Sequence, residues 1–174
     1  SKVDSQKLLR MAVTHDLCEA LAGDITPHCD PTLVQSKHAN EEAAMQEIRK
    51  VVGDPLGEEL YDLWMEYEKQ ETVLAVYAKD IDKFEMVMQA YEYEKDHLRP
   101  NSDVDDKSSD PEADKAPKDK TIHDGPLRGF FVSTNKAIKT PLFRRLDQEV
   151  RAKRESMLAE KGWSVSNDER QQPR

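Results

Sequence analysis
Across the first hundred residues, apolar side chains recur every three or four positions, and no segment alternates apolar with polar over any length. That spacing builds helices with one buried stripe and leaves no sheet to form. The expected fold class is all-α, a small helical bundle. A first helix is predicted from about Ser5 to Ala22, with Leu9, Val13, Leu17 and Leu21 as its stripe. Asp24 to Gln35, containing Pro27 and Pro31, reads as a loop. Ser36 is the expected cap of a second helix carrying Ala44, Ile48, Val51 and Val52. Gly53-Asp54-Pro55 reads as a stop and a restart. Leu56, Leu60, Leu63, Trp64 and Tyr67 then line a third helix, and Val73, Tyr77, Ile81, Phe84, Met88 and Tyr91 a fourth, from Thr72 to Asp96.

Charge divides the rest. Residues 1–100 hold 11 Lys/Arg against 21 Asp/Glu, residues 101–125 hold 4 against 8, and residues 126–163 hold 9 against 4. The middle segment has almost nothing apolar to bury and reads as a disordered acidic linker between the bundle (1–100) and a basic extension (126–174) with one helix, Pro141 to Lys161. The basic helix could pack on the acidic bundle or dock a partner; its apolar face is thin for a membrane. The tail from Ser164 is expected to be loose. The overall charge of −9 disfavours binding to nucleic-acid polymers. No apolar run is long enough to span a membrane. Cys18 and Cys29 match no zinc spacing and fit a reduced, cytoplasmic setting, with the nucleus also open.

The chemistry concentrates at His15-Asp16. An imidazole and a carboxylate side by side can hold one divalent cation through their lone pairs. Glu19, four residues after His15, shares its helical face and could reach a water on that cation. Gly23 ends the helix and puts Asp24 on the exit loop. A helix can carry the same residues on a solvated face, and the dipeptide alone does not decide between the two. Four polar groups on an otherwise apolar helix favour a site, because half-buried charge is costly unless paired or metal-bound. Asp82 sits beside the core stripe of the fourth helix and is either paired with a lysine or aimed into a site. His28, His38, His97 and His123 lie in polar or loop contexts and receive no role; Trp64 and Tyr67 read as core, Lys37 as solvated ahead of a phosphate contact, and Glu68 as a buttress.

Three stretches carry a resemblance: His15-Asp16-Leu17-Cys18-Glu19-Ala20-Leu21-Ala22-Gly23-Asp24-Ile25-Thr26-Pro27, then Glu59 to Glu68, then Lys79-Asp80-Ile81-Asp82-Lys83-Phe84-Glu85 running on to Tyr93. In order and spacing the chain resembles the HD-domain metal-dependent phosphohydrolases, and it is similar to their 5′-deoxynucleotidase branch of the HD-domain-containing-protein-2 type. The resemblance implies that His15, Asp16 and Asp82 are metal ligands, with Asp80 as the fallback for Asp82. It implies that Glu19 and Asp24 act on the attacking water and on the sugar–phosphate. The implied reaction turns (deoxy)nucleoside 5′-monophosphates into nucleoside and phosphate with Co2+, Mn2+ or Mg2+, in a homodimer. A binding or regulatory protein on the same bundle, or a phosphohydrolase of another phosphoester, are the competing functions. The family's first histidine has no match here and is expected upstream of Ser1, so the chain is expected to be N-terminally truncated and poorly active.

Overall fold
The computed structural model describes residues 4–25, 30–98 and 127–172. Seven helices occur among them: α1 (Ser5–Thr14), α2 (Glu19–Ala22), α3 (Pro31–Val52), α4 (Leu56–Lys69), α5 (Val73–His97), α6 (Arg128–Thr134) and α7 (Pro141–Glu160). A 3₁₀ turn follows at Asn167–Glu169. No β-strand is found among the described residues, so the all-α expectation holds. The linker expected at 101–125 lies outside them. The chain groups into two compact units, Ser1–Lys79 and Asp80–Arg174, with α5 contributing to both.

In the first unit α4 is the central element. It packs on α1 and α3, and α3 also meets α2. Its buried face carries Leu63, Trp64 and Tyr67. Met11 of α1 and Ala75 and Ala78 of α5 close around Leu63 and Tyr67. Cys18, Ala44 and Met45 close around Trp64. Each large apolar side chain buried this way contributes roughly 1.5–3 kcal/mol. Helices α3 and α4 approach closely at Gly57, where a Cβ would lie 2.6 Å from the carbonyl oxygen of Arg49. Only glycine permits that crossing.

Four local expectations are revised. The first helix stops at Thr14, and His15 to Cys18 form turns before α2 begins. The side chains account for the break. Thr14 Oγ1 donates to the Arg10 carbonyl at 2.7 Å, and His15 Nδ1 takes the Ala12 carbonyl at 2.7 Å, the acceptor a continuing α-helix would use. The following amides drop back three residues, Leu17 to Thr14 and Glu19 to Asp16. Second, the buried row of α1 is Met11 and Thr14, with Leu8 partly buried beside them, while Leu9 and Val13 are exposed. Periodicity reports spacing and does not say which of two adjacent rows finds a partner. Third, α3 starts five residues before Ser36. Asp30 is its cap, accepting from Thr32 N at 2.8 Å, with Pro31 in the first turn. Ser36 lies inside the helix, and its hydroxyl donates back to Thr32 O.

The fourth revision concerns the tail. In the second unit Val87 and Ala90 of α5, Phe131 of α6 and Val150 of α7 form the core. Arg154 lies fully buried, its guanidinium 3.7 Å from the Phe131 ring centre. It donates to both oxygens of Glu94, at 3.0 and 2.6 Å, and to Glu169 at 2.6 Å. Ser166 and Glu169 cap one another reciprocally. The tail is therefore tied through Glu169 to a buried cation rather than loose.

Candidate metal centre and active site
The turn at 15–18 places the His-Asp pair at the mouth of a cavity of about 110 Å³ in the first unit. His15 is half-buried and Asp16 exposed. The Ala12 carbonyl only accepts, so Nδ1 of His15 carries a proton, and the lone pair lies on the other ring nitrogen. That Nε2 faces Asp16 Oδ2 at 3.0 Å. Two such atoms are satisfied by a proton between them or by a cation that both ligate. The donor set, one imidazole nitrogen fixed by a main-chain carbonyl and one carboxylate, therefore fits a divalent metal.

Glu19, at the start of α2, lines the same cavity. Its carboxyl is held above the ordinary range, first by burial and then by the negative charges of Asp16 and Asp24. Asp24 follows Gly23, whose φ of +77° turns the chain out of α2. It is exposed, and its charge acts on Glu19. Asp82 belongs to the second unit, with Lys83 Nζ 3.4 Å from its carboxylate. Asp80, the fallback, is 1% exposed and already engaged. Its two oxygens accept the main-chain amides of Lys139 and Thr140, at 2.9 and 2.6 Å.

Several residues around the cavity were not anticipated. Glu41 of α3 is a buried carboxylate that lines it. Lys37, expected to be solvated, lies 3.3 Å from Glu41 and donates to the Ile25 carbonyl at 2.9 Å, tying the loop after α2 to α3. Their i,i+4 spacing was the available signal. His38, Glu41 and Glu68 bring ligand atoms within 4.8 Å of one another, so these three could also share a cation. His38 stacks on Trp64, with ring centres 5.8 Å apart. Tyr67 touches His15 ring to ring at 4.9 Å, and Lys79 Nζ lies 4.2 Å from the Tyr67 ring centre. Trp64 and Tyr67 are core residues, as expected, yet each shows an edge to the cavity. Cys18 is a free thiol, pushed up to about 11 mainly by burial and next by Glu41.

The family model described as "HD domain" matches residues 1–120. The chain is 35% identical to 5′-deoxynucleotidase HDDC2 of Dictyostelium discoideum over 88% of its own length and 69% of that protein's. It is 32% identical to the Homo sapiens protein of the same name over 91% and 65%. A Saccharomyces cerevisiae relative, 5′-deoxynucleotidase YGK1, is 42% identical over 53% and 44%.

The chain belongs to the HD-domain family.

It spans about two thirds of the length of its HDDC2 relatives. Membership agrees with the resemblance carried by His15-Asp16 and the helices around it. No helix among the described residues is long and apolar enough to cross a membrane.

Proposed function
We propose that this protein hydrolyses (deoxy)nucleoside 5′-monophosphates to nucleoside and phosphate, using a divalent cation held by His15, Asp16 and Asp82. The observation that carries the reading is the His15 Nε2 to Asp16 Oδ2 approach of 3.0 Å beside the Glu19 carboxyl in one cavity. Sequence similarity to proteins named 5′-deoxynucleotidases supports the substrate class. When bound, the cation supplies Lewis-acid polarisation of the phosphoryl group and a more acidic water.

The chain's own groups supply the rest. Water attacks phosphorus, the bond from phosphorus to the 5′-oxygen breaks, and the water's proton passes to Glu19. A carboxyl held above its ordinary range is a stronger base when ionised. Asp24 contacts the substrate or returns a proton to the leaving 5′-oxygen. The cavity of about 110 Å³ is well below the roughly 300 Å³ of a small-molecule pocket, so it takes the phosphoryl end and leaves the nucleoside outside.

A panel of deoxy- and ribonucleoside monophosphates, assayed with cobalt, manganese or magnesium, tests the reading. Metal-dependent phosphate release from a deoxynucleotide is expected. Binding without release would make the protein a regulatory module, and release from another phosphoester alone would move the substrate class. A homodimer and a cytoplasmic setting are proposed from the resemblance; light scattering on the purified chain tests the first.

A further inference from the structure
A cavity that takes only the phosphoryl end of a nucleotide leaves the nucleobase to be held at its rim. The cavity at the His-Asp pair, about 110 Å³, is of that kind. Every base presents a flat π-face, so an aromatic side chain with one open face can hold any of them.

His38 offers such a face. It lies on α3 between Lys37 and Glu41, both of which line the cavity. Its Nδ1 is 3.8 Å from Glu68 of α4, which lines the cavity too. His38 therefore stands at the rim. Behind it is Trp64, with ring centres 5.8 Å apart and planes 14° from parallel, an offset stack. Trp64 is fully buried, so this support is fixed. On the other side the His38 side chain is open to solvent, 62% exposed. Val34, one turn earlier on the same face of α3, is exposed as well. The separation from Glu68 is too long for a hydrogen bond, so the Trp64 stack sets the plane of the imidazole. An aromatic ring braced from behind and open in front, beside an exposed valine, is a shelf rather than core packing.

We propose that His38 stacks on the nucleobase of the bound nucleotide, with Trp64 as its support; the proposal rests on the phosphomonoesterase reading above. Stacking reads a face and not an edge, so all bases are accepted and the larger purines are held more tightly. Two probes that cannot be cleaved test it: deoxyadenosine carrying a methylene phosphonate in place of its 5′-phosphate, and the same sugar phosphonate without a base. Calorimetry on the metal-loaded full chain gives their affinities. The unaltered chain is expected to bind the first about five- to a hundredfold more tightly, the worth of one stacked base. His38→Ala should remove that preference and leave the baseless probe and the metal content unchanged. His38→Phe keeps a flat ring with no nitrogen to ligate a cation or to pair with Glu68, and it should restore the preference. Loss in His38→Ala with recovery in His38→Phe would support the proposal even where no phosphate is released. Equal affinity of the unaltered chain for both probes, or an undiminished preference in His38→Ala, would overturn it even where nucleotides are hydrolysed well. Equal weakening of both probes, or failure of His38→Phe to rescue, would make His38 a structural or ligating residue and also overturn it. Binding of neither probe would overturn it together with the phosphomonoesterase reading.

Discussion
His15 turns its Nε2 toward Asp16 Oδ2 at 3.0 Å because its other nitrogen is held by the Ala12 carbonyl at 2.7 Å. A main-chain carbonyl holds one side of this imidazole, and the Tyr67 ring packs against it. The turn that interrupts the first helical run is therefore part of the candidate site.

Removing either side of the pair should empty the centre. Asp16→Ala and His15→Ala are expected to lose bound metal and turnover together, as chelation does to the intact chain. His38→Ala should keep its metal, because our reading places the ion at the His-Asp pair and not at His38, Glu41 and Glu68. Metal content by elemental analysis checks all three; retention in Asp16→Ala with loss in His38→Ala would move the centre.

Glu19→Ala should separate binding from chemistry. Metal content stays, and the rate falls roughly a hundred- to ten-thousandfold, the usual worth of a general base. A fully active Glu19→Ala enzyme would remove this residue from the mechanism.

The pH profile carries a sign that can be worked out. Glu19 takes a proton only when ionised, so activity falls as pH drops through its raised pKa. Lys37 pulls that pKa down by its positive charge. Lys37→Met should therefore move the acid limb of kcat/KM to higher pH. A limb that stays put, or moves lower, contradicts the assignment of Glu19 as base.

Asp80 and Asp82 are two residues apart and should behave oppositely. Asp80→Ala leaves the buried amide of Thr140 without its acceptor, at a cost of about 1–3 kcal/mol, removes the bond to the Lys139 amide as well, and spares metal. Asp82→Ala should lose metal with little loss of stability. Urea unfolding and metal analysis on both variants decide it, and metal loss in Asp80→Ala alone would transfer the ligand role.

Arg154 bridges Glu94 and Glu169 with all three buried. Arg154→Met should cost about 3–5 kcal/mol, since two buried carboxylates lose their counter-ion. It should also expose the tail, seen as faster proteolysis after Glu169. Near-native stability would show that the tail is held by other contacts.

What could be read along the chain was whatever depends on neighbours in sequence. The 3.6-residue spacing made the fold all-helical, and α5 matches its expected span within a residue at each end. The side-by-side placement of His15 and Asp16, the i,i+3 or i,i+4 offsets and the Gly23 exit are likewise local. Boundaries went wrong where a side chain competes with the backbone. His15 ends a helix by taking Ala12 O, and Asp30 starts one well before Ser36. What only the tertiary structure decided rests on contacts across many residues: which row of α1 is buried, that Glu41, Tyr67 and Lys79 come to the His-Asp pair, and that Glu169 returns to Arg154. Spacing along a helix is set by local geometry. The choice of partner face is set by the burial of apolar area and the pairing of charge between distant segments, which no single stretch of sequence contains.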